Sequence, residues 1–206
     1  ATSANMSFRI QGLDGRYTQL LQNGLPLYSG FSSGLSIMQI PPLDLKQVEI
    51  IKGSASTLYG GGAIAGMINL ITKEPTDERS IDLQVVGNTG GGVDFNGFYA
   101  EKYGKVGLTV FSSYHLYAPY DANDDQFSDI PKQRRFNFNP RLFFYLDERT
   151  TASLGVNTSF EEREGGFIPK IDGDANSVSD YTELNTSTRI ATQLKIDHKF
   201  GECSHL

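Results

Sequence analysis

The 206-residue sequence has almost no cysteine, and its single thiol, Cys203, excludes an internal disulfide and a cysteine metal cluster. It also lacks an excess of basic residues, because 24 Asp and Glu outnumber 18 Lys and Arg and give a formal charge of -6. A protein that binds nucleic acid needs a basic face to meet the phosphates. The composition therefore argues against nucleic acid as a partner.

No apolar run approaches the roughly 18 to 20 residues that a membrane-spanning helix needs. The mean hydropathy of -0.31 is that of a soluble protein. It does not exclude a β-barrel, in which only alternate residues of each strand face lipid. The sequence starts without a charged-then-apolar leader, so any targeting peptide is expected to have been removed or to lie outside this piece.

Signals for catalysis are also missing. The three histidines, His115, His198 and His205, share no spacing, and no Ser or Cys nucleophile is expected beside any of them. The glycine-rich stretches do not lead into a helical pattern with an acidic partner, so they do not indicate a dinucleotide site. The sequence therefore predicts a protein that is not an enzyme, has no catalytic residues and requires no cofactor.

The first part of the chain, residues 1–79, is rich in glycine and contains short apolar runs separated by turns. Asn23-Gly24 is the strongest turn dipeptide and predicts a two-residue hairpin turn. The stretch VEIIKGSASTLYGGGAIAGMINLITKEP, residues 48–75, begins as one strand, passes through a loop of small residues and ends in a second strand, MINLIT. We expect these two strands to lie in one small mixed sheet together with the strand that carries Arg9.

Residues 80–206 follow a different pattern, in which apolar and polar side chains alternate over long segments. One face of RFNFNPRLFFYL, residues 135–146, carries Phe136, Phe138, Leu142 and Phe144. Six such strands are predicted, most of about 9 to 12 residues, which suits a tilted crossing of a bilayer. Tight connections at 101–105 and 147–150 alternate with long polar ones at 119–133 and 163–188, as in outer-membrane barrels. The alternative is a soluble β-sandwich, whose strands also alternate.

Two segments of the first part resemble the plug domain of TonB-dependent outer-membrane receptors. The downstream segment matches at Val48, Glu49, Gly53, Tyr59, Gly60, Ala63, Gly66, Asn69, Ile71, Thr72 and Lys73. The upstream segment matches at Arg9, Gly12, Leu21, Gly24, Pro26 and Leu27. The sequence departs from the usual pattern at Gln11, Asn23, Lys52 and Ser54.

The resemblance implies a mostly β fold with two parts. A small mixed α/β plug domain is expected over residues 1–79, followed over residues 80–206 by about six antiparallel strands of a large transmembrane β-barrel. The short box that TonB binds is expected outside this chain. So are the remaining strands, about 16 if the barrel has 22 as in plugged transporters.

The resemblance also implies a function and a location. We expect an outer-membrane receptor of a Gram-negative bacterium, in contact with outer-membrane lipid, that actively imports a scarce bulky solute with energy delivered by the TonB complex. The solute would be an iron chelate such as a siderophore complex, haem, cobalamin or a glycan. Two alternatives stay open: a soluble β-rich ligand-binding or adhesion module, and a receptor used mainly for surface signalling.

Candidate site residues follow from this resemblance. Arg9, Glu49 and Lys52 are expected to pair in the interface between plug and barrel wall, since a buried charge needs a partner; the alternative is ordinary surface charges. Gly60 and Gly66 are expected to let backbone approach backbone closely. The ligand-binding candidates are Tyr28, Phe31, Ser32 and Tyr120.

The acidic loop DGDANSVSDYTE, residues 172–183, carries one candidate metal site. Its acidic and amide side chains, spaced as in a calcium loop, are Asp172, Asp174, Asn176, Asp180 and Glu183. Ser177 stands where such loops have glycine, and no flanking helices are predicted. The two interpretations are a calcium site and a solvated acidic outer loop, so calcium is the one cofactor that the sequence suggests.

Overall fold

The computed structural model of the chain describes residues 10, 12–13, 17–26, 43–53, 64–174 and 178–200. The chain divides into a smaller compact unit, Ser3–Lys73, and a larger one that contains Glu74–Leu206. Among the described residues, no helix has both the length and the apolar character needed to span a membrane.

The smaller unit contains a mixed four-stranded sheet in the order β2-β1-β4-β3. Its strands are β1 (Thr18–Gln22), β2 (Leu25–Pro26), β3 (Leu45–Lys52) and β4 (Gly66–Thr72). Strand β4 is parallel to β1 and antiparallel to β3, so the two strands expected on either side of the small-residue loop are neighbours. The strand expected at Arg9 lies outside the described residues, and the described part of the smaller unit contains no α-helix.

The predicted hairpin turn joins β1 to β2. Asn23 and Gly24 both have positive φ, 52° and 82°, as a two-residue turn of this kind requires. The core of the unit lies on one side of β4, where Ile68 and Leu70 pack with Ile10 and Ala65. Alternate residues of β4 are buried, which is the ordinary pattern of a strand with one face on an apolar core.

The larger unit contains a six-stranded antiparallel sheet in the order β10-β9-β8-β7-β6-β5. Its strands are β5 (Ser80–Gly87), β6 (Gly92–Tyr103), β7 (Val106–Tyr117), β8 (Lys132–Tyr145), β9 (Thr150–Gly166) and β10 (Thr182–His198). One helical turn, α1 (Ile168–Ile171), follows β9. Between residues 80 and 198 the sheet is open, with β5 and β10 at its edges. The predicted fold class is confirmed in its strands and their antiparallel order.

The longest predicted loop was wrong at both ends. Strand β9 continues to Gly166 and β10 already begins at Thr182, so the loop is shorter than 163–188. The strands extend because polar side chains still pair across them beyond the apolar region. Lys132 on β8 lies 3.9 Å from Glu164 on β9, and Arg134 lies opposite Glu162.

The two faces of this sheet differ in polarity. The exposed side, here called the apolar face, carries Leu83, Val85, Phe95, Phe136, Phe138, Leu142, Phe144, Leu154, Phe160, Ile190, Leu194 and Ile196. The opposite side, here called the inner wall, buries Asn96, Thr109, Ser113, Gln133, Arg135, Asn137, Ser159, Glu161 and Arg163. The four apolar residues of β8 that were predicted to share a face do so.

Candidate ligand-binding wall and loops

The register of the sheet brings charged side chains of the inner wall into one row. Asp94, His115, Arg135 and Glu161 lie opposite one another on β6, β7, β8 and β9. The row lies near the end of the sheet where the two longer loops leave β7 and β9. Arg135 is 5% exposed and Glu161 is 4% exposed. Because burying a charge is costly, these groups must interact closely with their surroundings.

Glu161 lies at the centre of this charge cluster. Its Oε1 accepts a hydrogen bond of 3.0 Å from Gln133 Nε2 and forms an ion pair with Arg163 Nε. Its Oε2 lies 4.0 Å from Arg135 Nη1. One carboxylate is therefore placed between two buried guanidinium groups, and it contacts Arg163 more closely than Arg135.

A chain of hydrogen bonds continues the row across β6, β7 and β8. Asp94 accepts from Tyr117 Oη at 2.9 Å, and its other oxygen lies 2.6 Å from His115 Nδ1. Because a carboxylate only accepts, it fixes a proton on Nδ1, and in the neutral imidazole Nε2 then accepts from Ser113 Oγ at 2.9 Å. Asn137 Nδ2 donates to the same hydroxyl at 2.8 Å.

The expectation that no serine lies beside a histidine was therefore wrong. Ser113, His115 and Asp94 have the order of contacts of a catalytic triad. However, Ser113 is only 2% exposed, and its oxygen is already an acceptor for Asn137. The arrangement holds polar side chains of the wall in fixed positions.

Hydrogen bonds join the two longer loops, 118–131 and 167–181, to each other. Ser128 N donates to Gly166 O at 2.9 Å, and Gly166 N donates to Ser128 Oγ at 2.9 Å. The ring of Phe127 lies 5.3 Å from that of Phe167 and 6.4 Å from that of Tyr181. These contacts hold the exposed side chains of Phe127 and Tyr181 beside the buried ring of Phe167.

Tyr120, a predicted ligand-binding residue, lies in the loop between β7 and β8. The residue is 42% exposed, and its backbone pairs with Ile130 through hydrogen bonds of 3.0 and 3.1 Å. The other ligand-binding candidates, Tyr28, Phe31 and Ser32, lie outside the described residues. Ligand binding by Tyr120 stays a prediction.

The acidic residues of these loops mainly accept hydrogen bonds or form ion pairs within the loops, which stabilises the loop conformation. Asp121 and Asp125 accept hydrogen bonds from the backbone N–H groups of Gln126 and Phe127. In the proposed calcium loop, Asp180 pairs with Lys170 at 2.6 Å. Glu183 lies in β10 opposite Gly165. In the described part of the chain, no group of three or more acidic, His or Cys side chains could hold a metal ion.

Asp172 and Asp174 are exposed, and Asn176 lies outside the described residues. Calcium binding by this loop therefore stays a prediction.

In the smaller unit, the backbone of Gly66 lies close to neighbouring backbone, as was expected for this glycine. Its φ is +143°, and a Cβ at this position would lie 2.3 Å from the carbonyl oxygen of Ile51 on β3. Real Cβ atoms do not come that close to backbone, so a larger residue would push β3 and β4 apart. Gly60 lies outside the described residues.

Glu49 and Lys52 are exposed on β3. Glu49 accepts hydrogen bonds from Asn69 Nδ2 at 2.9 Å and Gln47 Nε2 at 2.8 Å. The oxygen of the same Asn69 amide accepts from Gly24 N at 2.9 Å, which ties the hairpin turn to β4. Arg9 lies outside the described residues, so charge pairing by Arg9, Glu49 and Lys52 stays a prediction.

The sequence analysis missed Arg135, Glu161 and Asp94. The period of two that places Phe136 and Phe138 on one face of β8 also places Arg135 and Asn137 together on the opposite face. Glu161 follows Ser159 on β9 in the same way. A signal was therefore available for Arg135, which is the first residue of the segment 135–146 that was treated as a strand.

The plug assignment has an independent counterpart in a comparison with protein families. The TonB-dependent Receptor Plug Domain matches residues 1–67. Among curated proteins, the vitamin B12 transporter BtuB of Photobacterium profundum is 27% identical over 128 residues, which is 58% of this chain and 21% of that protein. The rhizobactin receptor of Rhizobium meliloti is 36% identical over 83 residues, which is 40% of this chain and 11% of that receptor. The matched parts thus span about a fifth or less of these relatives.

A solved structure shares the fold. The siderophore receptor PirA of Pseudomonas aeruginosa superposes with a TM-score of 0.55 at 18% identity. The match covers 92% of this chain and 36% of that receptor.

Proposed function

Because this chain belongs to the TonB-dependent receptors, we propose that it is part of an outer-membrane transporter that imports a scarce bulky solute with energy delivered by the TonB complex. The observation that carries the proposal is the order of its parts. A plug-family match at residues 1–67 is followed by a six-stranded sheet with one apolar face and one polar wall.

The apolar face supports a place in the outer membrane of a Gram-negative bacterium. Large contiguous apolar surfaces are uncommon on soluble proteins and mark a contact with lipid or another protein. On this sheet the apolar residues recur at every second position of long strands, as they do on the lipid side of membrane barrels. Lipid is therefore the partner proposed for this face.

The relatives support two classes of solute. One relative is named for vitamin B12 and another for rhizobactin, and the solved receptor is named for siderophores. We therefore propose an iron chelate or a cobalamin as the solute. The exposed aromatic group at Phe127 and Tyr181, held by the joined loops, is a suitable first contact for a large solute at the cell surface.

The test uses the full-length protein in a Gram-negative host, with TonB present or deleted. The membrane fraction is solubilised, and uptake of radiolabelled ferric chelates and cobalamin is measured separately from surface binding. We expect the protein to need detergent, and we expect uptake only when TonB is present. A protein that stays soluble without detergent would instead support the β-rich binding module. Surface binding without TonB-dependent uptake would support the signalling receptor.

A further inference from the structure

A glutamate on the outward side of the six-stranded sheet is held between two tyrosines. Tyr99, Glu101 and Tyr103 alternate along β6 on the side of the strand that carries Phe95, a member of the apolar face. Both tyrosine hydroxyls donate to Oε2 of Glu101, and the two hydroxyl oxygens lie 2.7 Å apart. Among the described residues, no hydrogen bond reaches Oε1 of Glu101. One oxygen of this carboxylate is therefore available to a further donor.

This cluster lies at the tight-turn end of the sheet. Tyr103 is the last residue of β6 and directly precedes the turn at Gly104-Lys105. Outer-membrane barrels have short turns on the periplasmic side and longer loops outside, so in a barrel the cluster lies at the periplasmic border of the membrane. Tyrosines are enriched at such borders, because the ring contacts acyl chains while the hydroxyl reaches the polar head groups.

Exposed apolar side chains flank the cluster on both neighbouring strands. Ile81 on β5 lies opposite Tyr99 and is 58% exposed, and Val106 on β7 lies opposite Tyr103 and is 40% exposed. A charge on the lipid side of a membrane protein is costly, and such a residue is expected to have a specific partner. The tyrosine hydroxyls are neutral, so they orient the carboxylate of Glu101 without balancing its charge.

Arg79 places a positive charge on one side of this carboxylate. It comes directly before β5, whose first residue, Ser80, pairs with Ala100 next to Glu101. The charge of Arg79 acts on Glu101 electrostatically. A negative and a positive group beside exposed apolar side chains complement a zwitterionic lipid, which carries an ammonium, a phosphate and acyl chains.

We propose that Glu101 and its two tyrosines bind the ammonium group of a phosphatidylethanolamine in the periplasmic leaflet, with Arg79 on the phosphate of the same lipid. This inference rests on the membrane location proposed above and names the lipid head group. The ammonium donates to Oε1 of Glu101 and lies against the aromatic rings, which attract cations. The acyl chains of the lipid lie along the exposed side chains of Ile81 and Val106.

The chemistry of the cluster favours a primary ammonium over a quaternary one. A primary ammonium carries three N–H donors, and its hydrogen bond to a carboxylate is charge-assisted and about twice as strong as a neutral one. The trimethylammonium group of phosphatidylcholine has the same charge but no N–H. Phosphatidylglycerol has no ammonium, and its negative charge meets the negative charge of Glu101.

The test measures binding of defined lipids to the purified full-length receptor in detergent by native mass spectrometry. The probes are phosphatidylethanolamine, phosphatidylcholine and phosphatidylglycerol with identical acyl chains. The variant is Glu101→Gln, which keeps the size of the side chain and removes its charge. The matched control is Glu148→Gln, because Glu148 is also an exposed glutamate at the tight-turn end of the sheet, in the turn between β8 and β9.

We expect the wild-type receptor to bind phosphatidylethanolamine about 10- to 100-fold more tightly than the other two lipids, the range for a hydrogen bond to a charged group. Glu101→Gln should remove this preference, and Glu148→Gln should retain it. Arg79→Gln should weaken all three lipids, because all carry a phosphate, and should leave the preference unchanged. Equal binding of phosphatidylethanolamine and phosphatidylcholine by the wild type, or an unchanged preference in Glu101→Gln, would overturn the inference.

A further variant separates head-group binding from folding. Tyr103→Phe keeps the ring and removes one hydroxyl that orients Glu101, so it should bind phosphatidylethanolamine more weakly and still prefer it to phosphatidylcholine. If Glu101→Gln does not assemble, the preferences of the wild type and of Tyr103→Phe decide the question. A Tyr103→Phe receptor that binds all three lipids as the wild type does would overturn the assignment of its hydroxyl to the site.

Failure of this inference can be told apart from failure of the proposed function. A receptor that needs detergent and imports its solute, but shows no head-group preference, counts against the lipid site alone. A full-length protein that stays soluble without detergent counts against the membrane location and the lipid site together.

Discussion

In the smaller unit, β4 buries Ile68 and Leu70 and leaves Asn69 partly exposed. In the six-stranded sheet the alternation is the same, but the polarity is reversed. Strand β8 buries Arg135 and Asn137 and exposes Phe136 and Phe138. A period of two therefore identifies a strand with two different faces, and it does not say which face is buried.

The reversal teaches that the two sheets are built for different surroundings. The smaller sheet follows the rule for water, in which apolar side chains leave the solvent. The larger sheet departs from that rule, because large apolar side chains are exposed on every strand from β5 to β10 while polar and charged side chains are buried, although Phe98, Phe111 and Phe143 are buried as well. In water, such exposure would weaken the driving force for folding. The same arrangement is favourable when the apolar face contacts hydrocarbon.

Reversing the polarity of the apolar face should have the largest effect. Leu142 belongs to a row of leucines on neighbouring strands, Leu108, Leu142, Leu154 and Leu194. An arginine at the bilayer midplane costs about 2 to 4 kcal/mol on the lipid side of a barrel. Leu142→Arg in the full-length protein should therefore reduce the amount of heat-modifiable, assembled receptor in outer-membrane fractions.

The control for this prediction is Asn157→Arg on the inner wall of β9. Asn157 is only partly buried and lies on the side of the strand that already carries Ser159 and Glu161. Its replacement should leave assembly close to normal. Equal losses in the two variants would remove the distinction between the two faces.

The close contact at Gly66 gives the next largest effect, within the smaller sheet. Gly66→Ala should destabilise the plug unit, since overpacking typically costs about 1 to 3 kcal/mol. The plug of the full-length receptor should become more sensitive to limited proteolysis. Uptake should fall more than surface binding, because the outer loops are unchanged.

Gly53→Ala separates steric contact from backbone strain. Gly53 also has a positive φ, +97°, but no atom lies within 4 Å of the position of its missing Cβ. Gly53→Ala should therefore have the smaller effect of the two. If the protease cuts both variants equally fast, the effect of Gly66→Ala is explained by backbone strain at positive φ. The contact with Ile51 is then not needed to explain it.

Much of this fold could be predicted from local patterns. The alternation of apolar residues predicted that Phe136, Phe138, Leu142 and Phe144 share one face of β8. The dipeptide Asn23-Gly24 predicted the hairpin turn. Both depend on residues that are close in sequence. The ends of β9 and β10 were missed because their polar continuations, such as Glu164 and Glu183, look like loop residues until their partners are known.

The candidate site depends on register across several strands, which is harder to predict. His115 and Asp94 lie at equal distances from the turn at Gly104-Lys105, so a two-residue turn would have placed them opposite each other. Arg135 and Glu161 are separated by a different turn, and their contacts with Gln133 and Arg163 depend on side-chain conformation. The residues that share a face can be predicted from one strand alone. A row of charged side chains across several strands can be predicted only when the register set by all the turns between them is known.

The smallest effect is expected at the tight turn between β8 and β9, where exposed polar residues follow the ordinary rules for water. Asp147 accepts a hydrogen bond of 2.7 Å from the backbone N–H of Arg149 and one of 2.9 Å from the hydroxyl of Thr150. These hydrogen bonds lower the pKa of the Asp147 carboxyl, and the bond from the Arg149 backbone has the largest effect. A lowered pKa means that the folded turn favours the ionised form. Its stabilising contribution is therefore complete above the unfolded pKa of about 4 and is lost as the pH falls through the lower folded value.

Asp147→Asn should therefore reduce the hydrogen-exchange protection of the Arg149 amide slightly at neutral pH. At a pH below the folded pKa, variant and wild type should exchange at the same rate, because the wild-type carboxyl is then protonated. The comparison is made at equal pH, so the intrinsic dependence of exchange on pH cancels. A difference between the two proteins that stays constant from neutral to acidic pH would show that the charge of Asp147 does not stabilise the turn.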